Sequence, residues 1–249
     1  LAQMQRRHEQ GLVRECHGDL HLGNLVLMEG RVRLFDCIEF SADLRWIDVA
    51  SDLAFAYTDL LQHQQPGLAN WLLNEVLAGN GDYSAAPLLR FFAVYRALVR
   101  ATVAVIRASQ AGGTEQPASS EALAYITLAE KLANPATPQL VITHGLSGCG
   151  KTKASTQRLL ADTTGNTLRL RSDVERKRLF GFAALQKSGS GLDSGIYAPD
   201  AHQRTYTHLL KTTQILLDAG WSVVVDAAFL RRSERDSFAD LARARKAEF

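Results

Sequence analysis

Gly145-Leu146-Ser147-Gly148-Cys149-Gly150-Lys151-Thr152 follows a short apolar run, Leu140-Val141-Ile142, and precedes a stretch of helical character. Glycines at both ends let the backbone curl so that its N–H groups point inward at phosphate oxygens. Lys151 is spaced to reach β- and γ-phosphates, and the Thr152 hydroxyl to hold Mg²⁺. The helix that follows adds its positive N-terminal end to the same place. The stretch therefore reads as a phosphate-binding loop, with Gly145, Ser147, Gly148, Cys149, Gly150, Lys151 and Thr152 as the residues holding ATP.

Downstream, strand and helix signals alternate, the pattern of a parallel sheet flanked by helices. Strands are expected at 139–143, 167–171 and 221–225, and helices at 151–160, 174–180, 198–219 and 229–247. Residues 181–197 are rich in Gly and Ser. In such sheets, ligands sit beyond the carboxyl ends of the strands, where Asp173 and Asp226 both fall. Asp173 is placed to accept a proton from a substrate hydroxyl, and Asp226 to hold Mg²⁺ through water or to orient the attacking group. The alternative for Asp226 is a strand-end residue that caps the next helix. Arg176, one helical turn past Asp173, is placed to clamp an anionic part of a substrate.

Arg171-Ser172-Asp173 with Arg176, then Val223-Val224-Val225-Asp226-Ala227-Ala228-Phe229, resembles the small P-loop kinases, a group that includes gluconate kinase-like, polynucleotide 5′-kinase and zeta-toxin-like enzymes. The resemblance implies that Asp173 is the substrate-side base and Arg176 a substrate contact. That group also carries an arginine-bearing lid and two further strands, which this sequence lacks. In its usual 2-3-1-4-5 order, a sheet of the remaining strands leaves the phosphate-loop strand at an edge, with exposed backbone donors.

Upstream lies a different constellation. Asp19 and Asn24 stand five apart in a loop. A hairpin signal follows, with segments 25–28 and 32–35 around Glu29-Gly30-Arg31, and Asp36 comes at its end. A phosphotransferase needs one carboxylate for the proton of the attacking hydroxyl, and an amide oxygen with a second carboxylate for Mg²⁺. Asp19, Asn24 and Asp36 would take those roles in order. The alternative is that Asp19 and Asn24 are turn residues capping backbone. His17-Gly18-Asp19 with Asn24 and Asp36 resembles the larger lobe of the aminoglycoside phosphotransferase family, which shares the protein-kinase-like fold. That family's Gly-rich strand pair would lie upstream of residue 1.

The rest of the first half is helical in pattern. Helices are expected at 43–63, 68–77, 86–109 and 119–133. On the third of these, Phe91, Tyr95, Leu98, Thr102 and Val105 or Ile106 recur at helical spacing, while Arg96, Arg100 and Arg107 fall on another side, read as solvated or salt-bridged, with an acidic substrate as the alternative. Asp48 and Asp52 lie one turn apart on the first and suit either a brace for the Asp19 loop or a helix start. Asn134-Pro135-Ala136-Thr137-Pro138 ends the last helix and divides the chain into 1–134 and 138–249.

The 249 residues, 46% hydrophobic and 22% charged, fit one large or two ordinary domains. A net charge of +2 gives no strong reason to expect nucleic acid or an anionic membrane. Three cysteines without a CxxC pair suggest neither disulfides nor zinc, and a reducing cytoplasm is the simplest home. The opening Leu1 and both helical-looking ends make the chain read as a fragment. The whole is expected to be α/β, with a mostly helical kinase-like lobe carrying a small hairpin, then a P-loop parallel α/β domain with an incomplete sheet. The joint pattern resembles a bacterial family of two-domain fusions, aminoglycoside phosphotransferase-like with an ATP-binding C-terminal domain. The resemblance implies transfer of the γ-phosphoryl group of ATP to a small-molecule hydroxyl. A nucleic-acid 5′-hydroxyl kinase and a nucleotide-dependent switch stay open as alternatives.

Overall fold

The computed structural model describes residues 1–110, 116–183 and 198–249, so most of the Gly- and Ser-rich stretch at 181–197 lies outside it. In chain order the elements are α1 (Ala2–Glu9), β1 (Val13–Glu15), β2 (Leu25–Met28), β3 (Arg31–Leu34), α2 (Ala42–Arg45), β4 (Trp46–Asp48), α3 (Val49–Gln62), α4 (Pro66–Asn80), α5 (Ala86–Gln110), α6 (Gln116–Ala133), β5 (Leu140–Ile142), α7 (Lys151–Ala161), β6 (Thr167–Arg171), α8 (Ser172–Leu179), α9 (Pro199–Asp218), β7 (Ser222–Asp226) and α10 (Arg232–Ala244). They form two compact units, Leu1–Gln65 with Leu88–Asn134, and Pro66–Pro87 with Pro135–Phe249. The overall class is α/β, as the sequence pattern implies.

In the first unit, β2 and β3 make the expected hairpin, from Leu25↔Leu34 to Met28↔Arg31. Its tight turn places Glu29 and Gly30 at φ 52° and 72°. The helix expected over 43–63 is interrupted. Trp46–Asp48 leaves it to pair with Val13–Glu15 as an antiparallel ladder. Asp48 then starts α3 afresh, its carboxylate accepting from Ala50 N at 2.9 Å. The same carboxylate takes two bonds from buried Arg7, at 2.6 and 2.8 Å.

The buried side of α5 is also not the one marked by its large apolar residues. Phe91, Tyr95, Leu98, Val105 and Ile106 are all exposed, while Leu89, Ala93, Ala97, Ala101 and Ala104 are buried. Alanine lets α5 and α6 approach closely, and Tyr125 and Ala129 of α6 pack with Ala97 and Ala101. Arg96, expected on a solvated or salt-bridged side, is buried. Its guanidinium donates to Ser51 Oγ at 3.2 Å and lies 4.6 Å over the Phe55 ring.

The second unit is built on a three-stranded parallel sheet in the order β5-β7-β6. Its core is Leu140, Leu168, Leu170, Val223 and Val225 of the strands, with Leu209, Leu216, Phe229 and Phe238 around them. The phosphate-loop strand β5 is at one edge, as the strand order implies. Glu248 starts to pair on its outer side, and Leu140 N donates to Glu248 O at 2.7 Å. The other edge is closed by α4. Asn74 Nδ2 donates to Thr167 O at 3.0 Å, Thr167 N to Asn70 Oδ1 at 3.0 Å, and Arg169 N to Asn74 Oδ1 at 2.5 Å. Two side-chain amides, one helical turn apart, thus stand in for a neighbouring strand.

A linear division at 134–138 does not contain this feature, because residues 66–87 belong with the sheet. The helix expected at 68–77 begins earlier, at Pro66, where proline's missing N–H costs nothing. A Cβ on Gly67 would come within 2.2 Å of Leu160 O, so only glycine fits there. Trp221, 1% exposed, ties the same segment down through a 2.9 Å bond from its indole N–H to Ala86 O.

Candidate functional site

The loop between β5 and α7 has the backbone that its glycines permit. Gly145, Gly148 and Gly150 have φ of 138°, 80° and 89°, and α7 starts directly at Lys151. A Cβ on Gly145 would meet Cys149 Sγ at 2.7 Å. The loop is fastened to the residues that follow the neighbouring strand β7, where Gly145 N donates to Ala228 O at 3.1 Å and Thr143 Oγ1 to Ala227 O at 2.7 Å. Lys151 Nζ reaches back across the loop to Gly145 O at 2.9 Å and Leu146 O at 2.6 Å. Ser147, Gly148, Cys149, Gly150 and Thr152 are exposed. The site is therefore an open cradle of backbone N–H groups with a helix N-terminus and one ammonium at its rim.

Asp226 ends β7 beside this cradle and is buried. Its Oδ2 accepts from Ser155 Oγ at 3.2 Å, one turn along α7 from Thr152. Ser155 is shared with buried Arg169 of β6, whose guanidinium also reaches Thr156 Oγ1 at 2.7 Å. Burial lowers the pKa of Arg169, as does Arg171, and Asp226 opposes them. Arg169 is a residue that the sequence reading passed over. Its signal was a charged side chain within a strand otherwise made to be buried.

Asp173, near the start of α8, is exposed, with Arg171 Nη2 at 3.3 Å. Arg176 sits on α8 against α9, its Nε 3.4 Å from Thr205 Oγ1. What fixes α8 is the buried Glu175. It accepts from Arg178 and pairs with His208 Nε2 at 3.0 Å, and Arg178 also donates to Ala78 O. Burial raises the Glu175 pKa, but the bonds from His208 and Arg178 outweigh it and hold the carboxyl below its ordinary value of 4.5. Arg231 and Arg232, at the start of α10, are exposed, while Arg235 donates to Phe229 O at 2.7 Å.

In the first unit, the structure brings Asp19, Asn24 and Asp36 together. The buried Asn24 amide donates to Asp19 O at 3.0 Å, to Asp19 Oδ2 at 3.3 Å and to Asp36 O at 3.5 Å. Asp36 has φ 58°, which turns the chain sharply at the end of the hairpin. Asp52 Oδ2 and Oδ1 accept from His17 N at 3.1 Å and Gly18 N at 3.0 Å. Leu22 N donates to buried Asp59 at 2.8 Å, and the Tyr125 hydroxyl donates to the same carboxylate at 3.0 Å. Two carboxylates on α3, two turns apart, the half-buried Asp52 and the buried Asp59, thus hold the loop at both ends. Asp59 was missed in the sequence, although its spacing from Asp52 places both on one helix face. Burial pushes the His21 pKa down against the pull of Asp19, 3.5 Å away.

Among the described residues, no group of three or more His, Cys, Asp or Glu is arranged to hold a metal by itself. No described helix is long and apolar enough to cross a membrane.

Residues 140–249 match the family model AAA_33, described as an AAA domain. This part of the chain has a P-loop nucleotide-binding, kinase-like fold. The chain is also similar to uncharacterized proteins of Mycobacterium bovis and of two Mycobacterium tuberculosis strains. Each is 30% identical over 223 residues, which cover 90% of this chain and 44% of the relative. The chain thus spans less than half the length of the curated relatives it matches. No solved structure matches it.

Proposed function

We propose that the chain is part of an ATP-dependent phosphotransferase that moves the γ-phosphoryl group to a hydroxyl of a small molecule. The observation that carries this reading is the cradle of Gly145, Gly148 and Gly150 at the N-terminus of α7, with Lys151 already folded across it. In this reading, entry of a nucleotide exchanges the loop carbonyls on Lys151 Nζ for phosphate oxygens. The bond between the β,γ-bridging oxygen and the γ-phosphorus breaks as a new one forms to the acceptor oxygen. The acceptor proton passes to Asp173, whose exposed carboxylate at the carboxyl edge suits a base that meets an incoming hydroxyl. Arg176 contacts the acceptor.

The hydroxyl of Thr152 and the carboxylate of Asp226 are hard oxygen donors that fit Mg²⁺, with Asp226 reaching it through water. Mg²⁺, when bound, neutralises charge on the phosphates. In the first unit we assign Asp19 as the proton acceptor of a second phosphotransfer loop, with Asn24 and Asp36 as its Mg²⁺ holders. The Asn24 amide, which bonds the Asp19 carboxylate and the main-chain carbonyl of Asp36, puts the three residues in one neighbourhood and supports that assignment.

A thermal-shift titration with Mg-ATP tests the reading. A ligand at a hundred times its Kd stabilises by about 2.7 kcal/mol. The expected result is a shift in the wild-type chain and in Asp19→Asn, lost in Lys151→Ala. An equal shift in Lys151→Ala would remove the phosphate loop from the site.

A further inference from the structure

Arg171 ends β6 and pairs in register with Asp226 of β7, as Leu170 does with Val225. Side chains alternate along a strand, so Arg171 projects from the same face of the sheet as Arg169. That face is turned toward α7, because Arg169 bonds Ser155 and Thr156. From Arg169 to Arg171 the strand advances by about 6.6 Å toward the carboxyl edge. From Ser155 back to Lys151 and Thr152 the helix advances by about 5.4 Å in the same sense. Arg171 therefore stands level with the turn that carries Lys151 and Thr152, across Asp226 from it.

Its guanidinium is not consumed by protein partners. Nε is buried and has no hydrogen-bond partner among the described residues. Nη2 has Asp173 at 3.3 Å, in a pair whose side chains are 30% and 52% exposed, and pairs exposed to that degree hold little energy. Such a fork at the rim of a phosphate cradle matches a phosphoryl group, which accepts two parallel N–H bonds.

We infer that Arg171 is a second cationic ligand of the phosphate site, binding the oxygens of the phosphoryl group that lies between the loop and Asp173. The inference rests on the nucleotide-binding reading of the second unit. The phosphoryl group is either the third phosphate of the nucleotide or a phosphate on the acceptor, and both present the same oxygens.

Calorimetric titrations of the chain with Mg-ADP, with Mg-AMPPNP, and with inorganic phosphate at saturating Mg-ADP test it. The proteins are wild type, Arg171→Gln, Arg171→Lys and Lys151→Ala. The expected result in Arg171→Gln is an ADP affinity within twofold of wild type and an AMPPNP affinity at least tenfold weaker. Arg171→Lys, which keeps the charge but not the fork, should fall between. If AMPPNP is unaffected but inorganic phosphate binds tenfold more weakly, the ligand role stands and the acceptor is its source. Unchanged affinities for all three probes would overturn the inference and leave Arg171 as a tether for Asp173. Equal weakening of ADP and AMPPNP would overturn it as well, since the damage would not be specific to the terminal group. A wild-type chain that binds neither nucleotide removes both readings. Lys151→Ala that loses both nucleotides beside an unaffected Arg171→Gln removes only this one.

Discussion

The two units hold their candidate sites by opposite means. In the first, the Asp19 loop is pinned by side chains from elsewhere in the unit: Asp52 takes the N–H groups of His17 and Gly18, and Asp59 that of Leu22. In the second, the phosphate loop is shaped by its own backbone, with three glycines at positive φ and a helix that starts at Lys151. A site braced by side-chain carboxylates depends on residues far from it in sequence. A site made of backbone depends on its own few positions and on the sheet below. The difference teaches where each unit is vulnerable, and substitutions can break or sharpen it.

The largest effect should come from Arg7→Met. It strands the Asp48 carboxylate, buried with Arg7 at 8% and 2% side-chain exposure. Loss of one partner of such a pair costs about 3–5 kcal/mol. Denaturant unfolding followed by hydrogen exchange should show that loss in the first unit, with nucleotide affinity of the second retained. Asn74→Ala comes next, on the other side of the comparison. It leaves Thr167 O and Arg169 N without their amide partners, at about 1–3 kcal/mol each, and the unfolding midpoint of the second unit reads it.

Asp52→Ala should cost roughly 1–3 kcal/mol by freeing two loop N–H groups. Broadened amide resonances of His17 and Gly18 would mark the loop as loosened. Gly150→Ala, at φ 89°, should cost about 1–2 kcal/mol in stability, yet weaken ADP at least tenfold, because the damage falls on the cradle itself. An ADP affinity unchanged in this variant would break the contrast between the units.

The smallest effect is in pH dependence. Glu175 has a folded-state pKa below its ordinary 4.5, so near that pH the folded state binds fewer protons than the unfolded one. Its stabilisation is complete above about 4.5 and fades as the pH falls further. In Glu175→Gln the acid slope of the second unit's stability should flatten, and an unaltered slope would assign acid sensitivity to other carboxylates.

Much of the second unit was legible in sequence because its determinants are local. The glycines, Lys151 and Thr152 stand within eight residues of one another in the chain, and β6 falls at 167–171 as its pattern implies. Asn70 and Asn74 gave no such signal. Nothing in a helical stretch shows that its amides will face the edge of a strand about ninety residues on. The α5 pattern misled for a different reason. Hydrophobic spacing marks where large side chains lie, whereas close helix packing selects small ones, and the alanines won the buried face. At the Asp19 loop the residues themselves were legible, but the Asp59 brace was not, since a carboxylate on a helix reads as a solvent-facing group until a backbone donor is placed beside it.

The edge closure by α4 also has a consequence in time. A chain leaving the ribosome releases Asn70 well before Leu159 and Thr167, its partners 89 and 97 residues later. At the usual rate of synthesis that interval is on the order of ten seconds. Throughout it, Leu73 and Leu77, fully buried in the folded unit, belong to a nascent helix whose sheet has not yet been made. A holding chaperone would find its target there.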